Sequence, residues 1–483
     1  MSDETFYWHD YETFGTDPVR DRPVQFAGQR TDADFNPIGE PLVIYARPAD
    51  DYLPQPGACL VTGITPQHAL ENGLPECEFM GRIHDELALP GTCGVGYNSI
   101  RFDDEVTRNT LYRNLFDPYA REWQNGNSRW DIIDPLRAAY ALRPEGIEWP
   151  LREDGLPSFR LEELTVANGI EHASAHDALS DVTATIAVAR LLRERQPRLY
   201  DYMLRLRRKP AASAMLDVQS MKPVLHVSGK FGAARHNIGL IAPLMAHPAN
   251  RNEILCYDLD VDPGALIELD ADTLRGHLFS RHDDLPEGVQ RPGLKSVHVN
   301  RSPVLVTARM ADAQVAARLG LDGERCRRHL AMLRRWRDSD PQAFNDKLSA
   351  IHAPRSASED RDPDTQLYGG GFFSDSDRRS LDSLRRLPAD ALAAATPAFE
   401  DARLSELFFR YRARNYPHTL DSEERERWDE FRLYRLSGEA PGFPLGLEDY
   451  QADLQQRIES LPPGAAGRPV LEALQAWGDT LLA

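Results

Sequence analysis

The first fifty residues consist of short aromatic or branched apolar runs separated by turn residues. The runs at residues 5–12, 24–31 and 41–47 are each of strand length and predict three β-strands. No helical spacing of apolar residues separates these runs. Three closely spaced strands without an intervening helix indicate an antiparallel meander.

The next part of the chain mixes strand and helix patterns. Residues 93–102 form another strand candidate that ends at Asp103, and a helical stretch follows to about residue 115. Ser158 is the expected N-cap of a helix over 161–167, which Asn168-Gly169 would end. Apolar residues at helical spacing predict a further helix over 178–195. We therefore predict an α/β fold, with a mixed sheet followed by alternating strands and helices.

The pattern changes twice beyond residue 196. Runs typical of strands at 224–227, 254–257, 297–299 and 304–306 predict a small β-rich domain, and residues 311–351 are helical. Residues 353–364 are polar, contain two prolines and resemble a linker, and the chain from about residue 374 is helical and rich in charge. The predicted domains are residues 1–195, 196–355 and 356–483.

Charge is distributed unevenly over these three domains. The 483 residues carry a net charge of −19, which at face value argues against a nucleic-acid partner, because affinity for phosphates comes from Lys and Arg. The predicted domains carry −16, +6 and −9, so a basic middle lies within an acidic chain. Residues 203–251 alone hold eight basic side chains against one acid.

Cysteine content and hydropathy limit the class of protein further. Five widely spaced cysteines without a CxxC pair exclude a disulfide framework and a zinc ribbon, and they fit a reducing cytoplasm. No apolar run reaches the roughly 18 residues that a membrane helix needs. The first residues lack the basic and apolar stretches of a secretion signal. We expect a cytoplasmic protein without a membrane span.

Two carboxylates stand out on the first predicted strand. Asp10 and Glu12 are two residues apart, so their side chains point to the same face. Buried carboxylates held side by side repel each other unless a cation lies between them, and Mg²⁺ or Mn²⁺ prefers such oxygen ligands. The alternative is a strand with a solvated polar face, which is the commoner meaning of an isolated Asp-x-Glu.

Two further elements contain acids at strand and helix ends. Asp103 lies at a strand-to-helix junction, but Asp104 and Glu105 follow at once, so composition leaves open which of the three points inward. Asp181 lies near the first turn of the helix over 178–195, and His176 precedes that helix. An acid in this position is also favoured by the helix dipole alone.

These four acids and one histidine form a more specific set together than separately. Their order along the chain is Asp-x-Glu, Asp, and then His-x4-Asp. Such a set suits two-metal hydrolysis of a phosphodiester, in which two ions about 3.5–4 Å apart clamp the attacking and leaving oxygens. A neutral imidazole can deprotonate the attacking water.

The strings around these residues resemble a known family. They are HDYETFG at 9–15, the run 96–106, GLPSFRLE at 155–162, and 168–172 leading to HDA at 176–178. This pattern resembles the histidine-containing branch of the DnaQ-like (DEDD) 3′→5′ exonucleases, on a ribonuclease H-like fold. Later strings at 221–223, 226–229, 372–375 and 411–415 are similar to the bacterial exonuclease I family, so the resemblance spans nearly the whole chain.

The resemblance implies a role for each residue of the site. Asp10, Glu12, Asp103 and Asp181 would bind two Mg²⁺ ions, with Mn²⁺ as a substitute, and His176 would be the general base. Arg160 would contact the substrate near the scissile end. The resemblance also implies an SH3-like middle domain and a helical C-terminal domain that close a groove over single-stranded DNA. The expected reaction is 3′→5′ hydrolysis to 5′-mononucleotides, in DNA repair and recombination.

A nuclease that holds single strands needs basic groups for phosphates and aromatic rings for bases. The candidate basic and aromatic contacts are Arg108, Arg137, Lys222, Lys230, Tyr119, Trp123, Phe372 and Phe373, with Arg412 and Arg414 as additional cations. The resemblance also implies docking of the acidic tail of single-stranded-DNA-binding protein, with Arg143, Tyr202 and Lys222 as candidates. Gly369-Gly370-Gly371 departs from the family string, which puts the contacts of that loop in doubt.

Two other functions stay open at this point. The same five residues serve RNA in sister families, and the sequence does not show the contact to the sugar that separates RNA from DNA. A single-strand-binding or scaffold protein built on an inactive nuclease is the alternative outside enzymes, although the complete acid set argues against it. We expect an enzyme that acts as a monomer.

Overall fold

The computed structural model describes residues 4–172, 176–353, 362–443 and 445–481. The chain divides by packing into two compact units. The first consists of Met1–Ser128, His172–Thr183 and Ala357–Ala483, and the second of Arg129–Glu171 and Ala184–Ser356. Most of the predicted first domain therefore shares one unit with the third, while residues 129–171 and 184–195 belong to the second unit. The division into three domains stays a prediction.

The strands of the described chain are short and lie mainly in two sheets. In chain order they are β1 (Thr5–Thr13), β2 (Pro23–Thr31), β3 (Pro37–Ala46), β4 (Gly73–Leu74), β5 (Thr92–Gly96), β6 (Ser128–Asp131), β7 (Val224–Val227), β8 (Ile238–Ala246), β9 (Glu253–Asp258), β10 (Leu294–His298) and β11 (Val304–Thr307).

The helices lie in both units. In chain order they are α1 (Pro56–Thr62), α2 (Pro66–Asn72), α3 (Glu76–Leu87), α4 (Asp103–Arg113), α5 (Ile133–Leu142), α6 (Leu161–Ala167), α7 (Ala178–Arg195), α8 (Pro197–Leu206), α9 (Lys209–Met215), α10 (Gly264–Glu268), α11 (Ala271–Phe279), α12 (Ala313–Arg318), α13 (Gly323–Ser339), α14 (Pro341–Ile351), α15 (Asp375–Arg385), α16 (Ala389–Ala393), α17 (Arg403–Asn415), α18 (Ser422–Leu436), α19 (Leu447–Ser460) and α20 (Arg468–Thr480). None of the helices in the described ranges is long and apolar enough to cross a membrane.

The sheet of the first unit is mixed. Its strands follow the order β4-β3-β2-β1-β5, in which β1 pairs antiparallel with β2 and parallel with β5. The β1–β2–β3 segment is antiparallel throughout, which confirms the predicted meander. Tyr7, Tyr11, Phe26, Phe79 and Ile83 form the core between this sheet and α3. Burial of these rings fixes which face of β1 points away from the core.

The sheet of the second unit is antiparallel, with the order β10-β9-β8-β7-β11. Val224, Ile241, Cys256, Val297 and Leu305 pack in its core. The predicted β-rich domain is confirmed, but β8, which contains Pro243, was not predicted, and α10 and α11 interrupt the region.

The helical predictions are confirmed with one correction. Helices α4, α6 and α7 form where they are predicted. Arg160, not Ser158, is the N-cap of α6, and the Ser158 hydroxyl instead accepts a long 3.4 Å bond from the Arg160 backbone N–H. The stretch 311–351 is helical as predicted and consists of α12, α13 and α14, with Asp322 and Asp340 capping the starts of α13 and α14.

Candidate active site

Strand β1 presents the first two carboxylates. Asp10 lies opposite Ala27 and Glu12 opposite Gln25 on β2, in the part of β1 that extends beyond its pairing with β5. Tyr11, between them, turns its ring into the core. The alternation along the strand therefore places Asp10 and Glu12 on one face at the end of the sheet.

The structure identifies Asp103 as the inward acid among the three consecutive carboxylates. Its Oδ1 accepts a hydrogen bond from the backbone N–H of Tyr11 at 3.1 Å. Asp104 instead pairs with buried Arg121 at 2.7 Å, and Glu105 pairs with Arg108 at 2.9 Å. The first residue of α4 is thus fixed to the backbone that lies between Asp10 and Glu12.

Asp181 brings the third element to the same place. It lies in the first turn of α7, and ligand atoms of Glu12, His176 and Asp181 all lie within 4.8 Å of one another. His176 has a backbone φ of 67°, and its side chain is exposed. The predicted general base is therefore beside the carboxylates and open to water.

Two residues without a predicted role support this element. His172 Nε2 lies 2.6 Å from Asp181 Oδ1. The buried Gln25 amide donates to Asp177 Oδ1 at 3.1 Å and accepts from the Ala178 N–H at 3.3 Å, which fastens the start of α7 to β2. A buried glutamine directly opposite Glu12 is the signal that sequence reasoning could have used.

The electrostatics of the site show uncompensated negative charge. Burial, followed by the charges of Asp103, Glu12 and Asp181, raises the pKa of Asp10 well above its usual range. Burial and Asp181 raise the pKa of Glu12 to about 8. Burial also raises the pKa of Asp181, which the His172 hydrogen bond opposes. Within the described ranges, neither Asp10 nor Glu12 has an ion-pair partner.

This donor set fits a hard divalent cation. Buried carboxylate oxygens that repel one another are the ligands that Mg²⁺ and Mn²⁺ prefer. Asp10, Glu12, Asp103 and Asp181 are the residues that would hold such ions. The site is therefore an acidic cluster whose oxygens suit a divalent cation, with His172 and His176 beside it.

The aromatic candidates of the first unit differ in exposure. Trp123 and Phe372 are 65% and 77% exposed, and the Tyr119 ring contacts Phe372 at 5.7 Å between centroids. Phe373 is instead packed against Tyr112, nearly parallel at 5.8 Å. Of the paired phenylalanines, only Phe372 offers a free ring face.

The loop with three glycines is held at both ends by one arginine. Arg403 donates to the carbonyl oxygens of Gln366 and Gly371, each at 2.8 Å. A Cβ at Gly370 would lie 2.5 Å from the Arg403 guanidinium, so this close approach requires glycine. The loop that departs from the family string is therefore fixed by its contacts with Arg403.

Three of the basic candidates in this unit are engaged internally. Arg108 is buried and donates to Glu105, Glu122 and the Tyr368 hydroxyl. It also lies over the Tyr119 ring at 5.5 Å, which supports a role in positioning that ring, and its contact with DNA stays a prediction.

Arg412 and Arg414 correct the sequence analysis more strongly. Arg412 is buried and pairs with Glu424 at 2.7 Å, and Arg414 is buried and pairs with Asp51 at 2.7 Å. Both guanidinium groups are shielded from water and held by carboxylates, which leaves them unavailable for phosphates, so these two arginines are structural.

The candidates of the second unit are placed as follows. Lys222 and Lys230 are exposed, and the exposed Arg160 side chain lies 3.8 Å from Glu163. Arg137 pairs with Asp134 at 2.7 Å and lies over the Phe159 ring at 5.8 Å.

For the predicted partner surface, Arg143 donates to the Leu142 carbonyl and the Tyr202 hydroxyl donates to the Leu305 carbonyl at 2.8 Å.

Comparison with known proteins identifies the family of this chain. Family models match at residues 7–189 (Exonuclease), 207–353 (Exonuclease I SH3-like domain) and 361–481 (Exonuclease I C-terminal domain). Exodeoxyribonuclease I of Escherichia coli K12 is 49% identical over 479 residues, which cover 99% of this chain and 98% of that protein.

Solved structures are similar over the full length. Exonuclease I from Methylocaldum szegediense is 51% identical with a TM-score of 0.93, covering 99% of this chain and 100% of that one. E. coli exonuclease I in complex with a dA16 oligonucleotide is 48% identical with a TM-score of 0.91 and the same coverage. The match to the Exonuclease family model, together with the acidic cluster at the end of the mixed sheet, defines the exonuclease class. The chain belongs to the exodeoxyribonuclease I family.

Two further similar structures, the first of E. coli exonuclease I, concern ligands. One is the zinc-ion-bound form of an exonuclease I–ssDNA complex, 49% identical with a TM-score of 0.92, and covers 100% of both chains. The other is described as SSB/exonuclease I in complex with an inhibitor, 48% identical with a TM-score of 0.89, and covers 99% of this chain and 100% of that one.

Proposed function

We propose that this chain is a single-strand-specific exodeoxyribonuclease that hydrolyses DNA from the 3′ end to 5′-mononucleotides. The observation that carries the proposal is the convergence of Asp10, Glu12, Asp103 and Asp181 beside His176, in a chain of the exodeoxyribonuclease I family. Two Mg²⁺ ions, for which Mn²⁺ can substitute, are the proposed cofactors. When bound, they would stabilise the attacking and leaving oxygens of the phosphodiester.

The residues of the chain then have distinct tasks. The four carboxylates hold the cations. An imidazole nitrogen of His176 takes the proton of the attacking water, since its side chain is exposed and close to Glu12 and Asp181. The water oxygen attacks phosphorus and the P–O3′ bond breaks. The shortened strand keeps a 3′-hydroxyl, and the released nucleotide keeps its 5′-phosphate.

The DNA strand is held by groups without base specificity. The rings of Trp123 and Phe372 are exposed, and Tyr119 contacts both Phe372 and Arg108. These rings provide stacking surfaces worth about 1–3 kcal/mol per base. Arg160, Lys222 and Lys230 are exposed cations suited to phosphates, and Arg137 is a candidate of the same kind. Phe373 has a packing role in this proposal.

The cellular setting follows from the same family. We infer a monomer in the cytoplasm that serves DNA repair and recombination. The similar structure described as SSB/exonuclease I supports docking of an acidic SSB tail on this chain, with Arg143, Tyr202 and Lys222 as the proposed surface. Loss of binding to an acidic tail peptide in a Lys222→Glu variant would support this assignment, and unchanged binding would remove Lys222 from it.

The decisive variant is Asp181→Ala. We expect near-total loss of Mg²⁺-dependent cleavage of a single-stranded DNA oligomer, with binding of that oligomer largely retained, because Asp181 is a cation ligand and not a DNA contact. The control is Asp375→Ala at an exposed position, which should cleave like the unchanged protein. Cleavage by Asp181→Ala at the normal rate would contradict the ligand set, and faster loss of a matched RNA oligomer would contradict the DNA assignment.

A further inference from the structure

We propose that His172 is a positioning residue of the active site, which orients the carboxylate of Asp181 and, through it, the backbone of His176. This inference rests on the proposed role of Asp181 as a cation ligand. Its basis is the 2.6 Å contact between His172 Nε2 and Asp181 Oδ1, together with the bond from the His176 N–H to Asp181 Oδ2 at 3.3 Å.

The two contacts use opposite oxygens of one carboxylate. His172 contacts Oδ1, and the His176 backbone N–H donates to Oδ2. Asp181 therefore contacts both histidines. The His172 side chain is only 4% exposed and that of Asp181 18%, so the shorter contact is shielded from water. A buried hydrogen bond of this length restricts rotation of the carboxylate about its side-chain torsions.

The placement of His172 distinguishes positioning from direct ligation. The Nε2 atom of His172 is directed at Asp181. Groups that orient metal ligands in this way typically change metal affinity 10–100-fold when they are removed.

The same carboxylate also links metal binding to the general base. His176 adopts a φ of 67°, a backbone conformation that non-glycine residues rarely take, and its N–H bond to Asp181 helps to hold that conformation. Loss of His172 should therefore change both cation affinity and the turnover step, while the DNA contacts on other elements keep their geometry.

The test compares three substitutions of His172 with one control substitution, each made in the full-length protein. We measure Mn²⁺ affinity without DNA by titration calorimetry, and kcat and KM on a single-stranded DNA oligomer. His172→Ala should weaken Mn²⁺ binding about 10–100-fold and lower kcat, with KM for DNA unchanged. His172→Gln should restore Mn²⁺ affinity to within about threefold, because its amide N–H can reach the position of Nε2. His172→Asn should not, because its amide is too short. His418→Ala, at an exposed position, is the matched control.

The outcomes separate this inference from the proposed function. Unchanged Mn²⁺ affinity in His172→Ala overturns the positioning role if Asp103→Asn and Asp181→Asn abolish Mn²⁺ binding. Equal loss in His172→Ala and His172→Gln also overturns it, since the ring itself would then be required. If Asp103→Asn and Asp181→Asn both bind Mn²⁺ normally, the proposed ligand set fails, and this inference fails with it. If the alanine variant does not fold, the contrast between Gln and Asn still decides the question.

Discussion

Glu12 is the residue at which the destabilising effect of the buried carboxylates is easiest to measure. Burial, then the charge of Asp181, raises its pKa from 4.5 to about 8. Because the folded-state pKa lies above that of the unfolded chain, the folded protein binds more protons between these values. The stability of the cation-free protein should therefore fall as the pH rises from about 4.5 to about 8, and then level off.

Mg²⁺ should remove most of this loss, because it binds the ionised carboxylates of the folded protein only. The measurement is the thermal unfolding midpoint with EDTA or with Mg²⁺, at about pH 5.5 and about pH 8.5. Mg²⁺ should raise the midpoint more at the higher pH. Glu12→Gln should flatten the pH dependence in EDTA, and an equally steep dependence in that variant would contradict the assigned cause.

His176 is the second residue with a measurable contribution of its own. Replacement by alanine should lower the cleavage rate on the order of 10²-fold or more, because general-base assistance contributes about that much. The carboxylates remain, so DNA and Mn²⁺ binding should change little. The measurement is the pH–rate profile of both proteins under single-turnover conditions. A profile with the same shape in His176→Ala would remove this histidine from the role of base.

At the scale of elements, α4 is held in place by a buried ion pair next to the site. Arg121 and Asp104 are both buried and lie 2.7 Å apart, directly after Asp103. Arg121→Met keeps most of the side-chain volume but removes the charge partner of Asp104. We expect a loss of about 3–5 kcal/mol in the free energy of unfolding, measured by urea denaturation.

The control for this variant is the same substitution at an exposed pair on a neighbouring helix. Arg82 pairs with Glu78 at 2.9 Å on α3, where both side chains are about half exposed. Arg82→Met should cost less than about 0.5 kcal/mol. Similar losses in the free energy of unfolding for Arg121→Met and Arg82→Met would show that burial does not determine the energy of the Arg121–Asp104 ion pair.

Element types were predictable where local patterns decide them, and side-chain partners were not. The meander, α4 and α7 follow from apolar spacing and caps that lie within the segments themselves. The choice of Asp103 over Asp104 depends on Arg121, seventeen positions away, and is invisible to local pattern. The role proposed for His172 depends likewise on its contact with Asp181, nine positions away. Strand β8 was missed because its proline is typical of turns.

At the scale of the whole molecule, net charge describes the first unit poorly. Part of its acid content pairs internally with arginines that the sequence alone offered as DNA contacts. Asp51, Asp362 and Asp364 are buried among Arg22, Arg410, Arg414 and Arg435. These residues come from the N-terminal and C-terminal thirds of the chain. Internal neutralisation thus explains why the two acidic segments pack into one unit.

Asp364 is the test of this internal network. Although burial opposes its charge, Arg414 and Arg410 hold the pKa of Asp364 well below its usual range. Its carboxylate accepts from Arg410 at 3.2 Å, Arg414 at 2.5 Å and Arg435 at 3.0 Å. Asp364→Asn leaves three buried guanidinium groups short of one negative charge. We expect a loss of about 3–5 kcal/mol in the free energy of unfolding, measured in urea.

The matched control is Asp375→Asn, because the Asp375 side chain is 84% exposed and pairs with Arg378 at the surface. This substitution should change stability by less than about 0.5 kcal/mol. If Asp364→Asn were equally mild, the ion pairs would not be what joins the ends of the chain. The apolar cluster of Phe14, Tyr52, Tyr450 and Trp477 would then have to carry that contact alone. A large loss in Asp364→Asn assigns the junction to charge as well as to apolar burial.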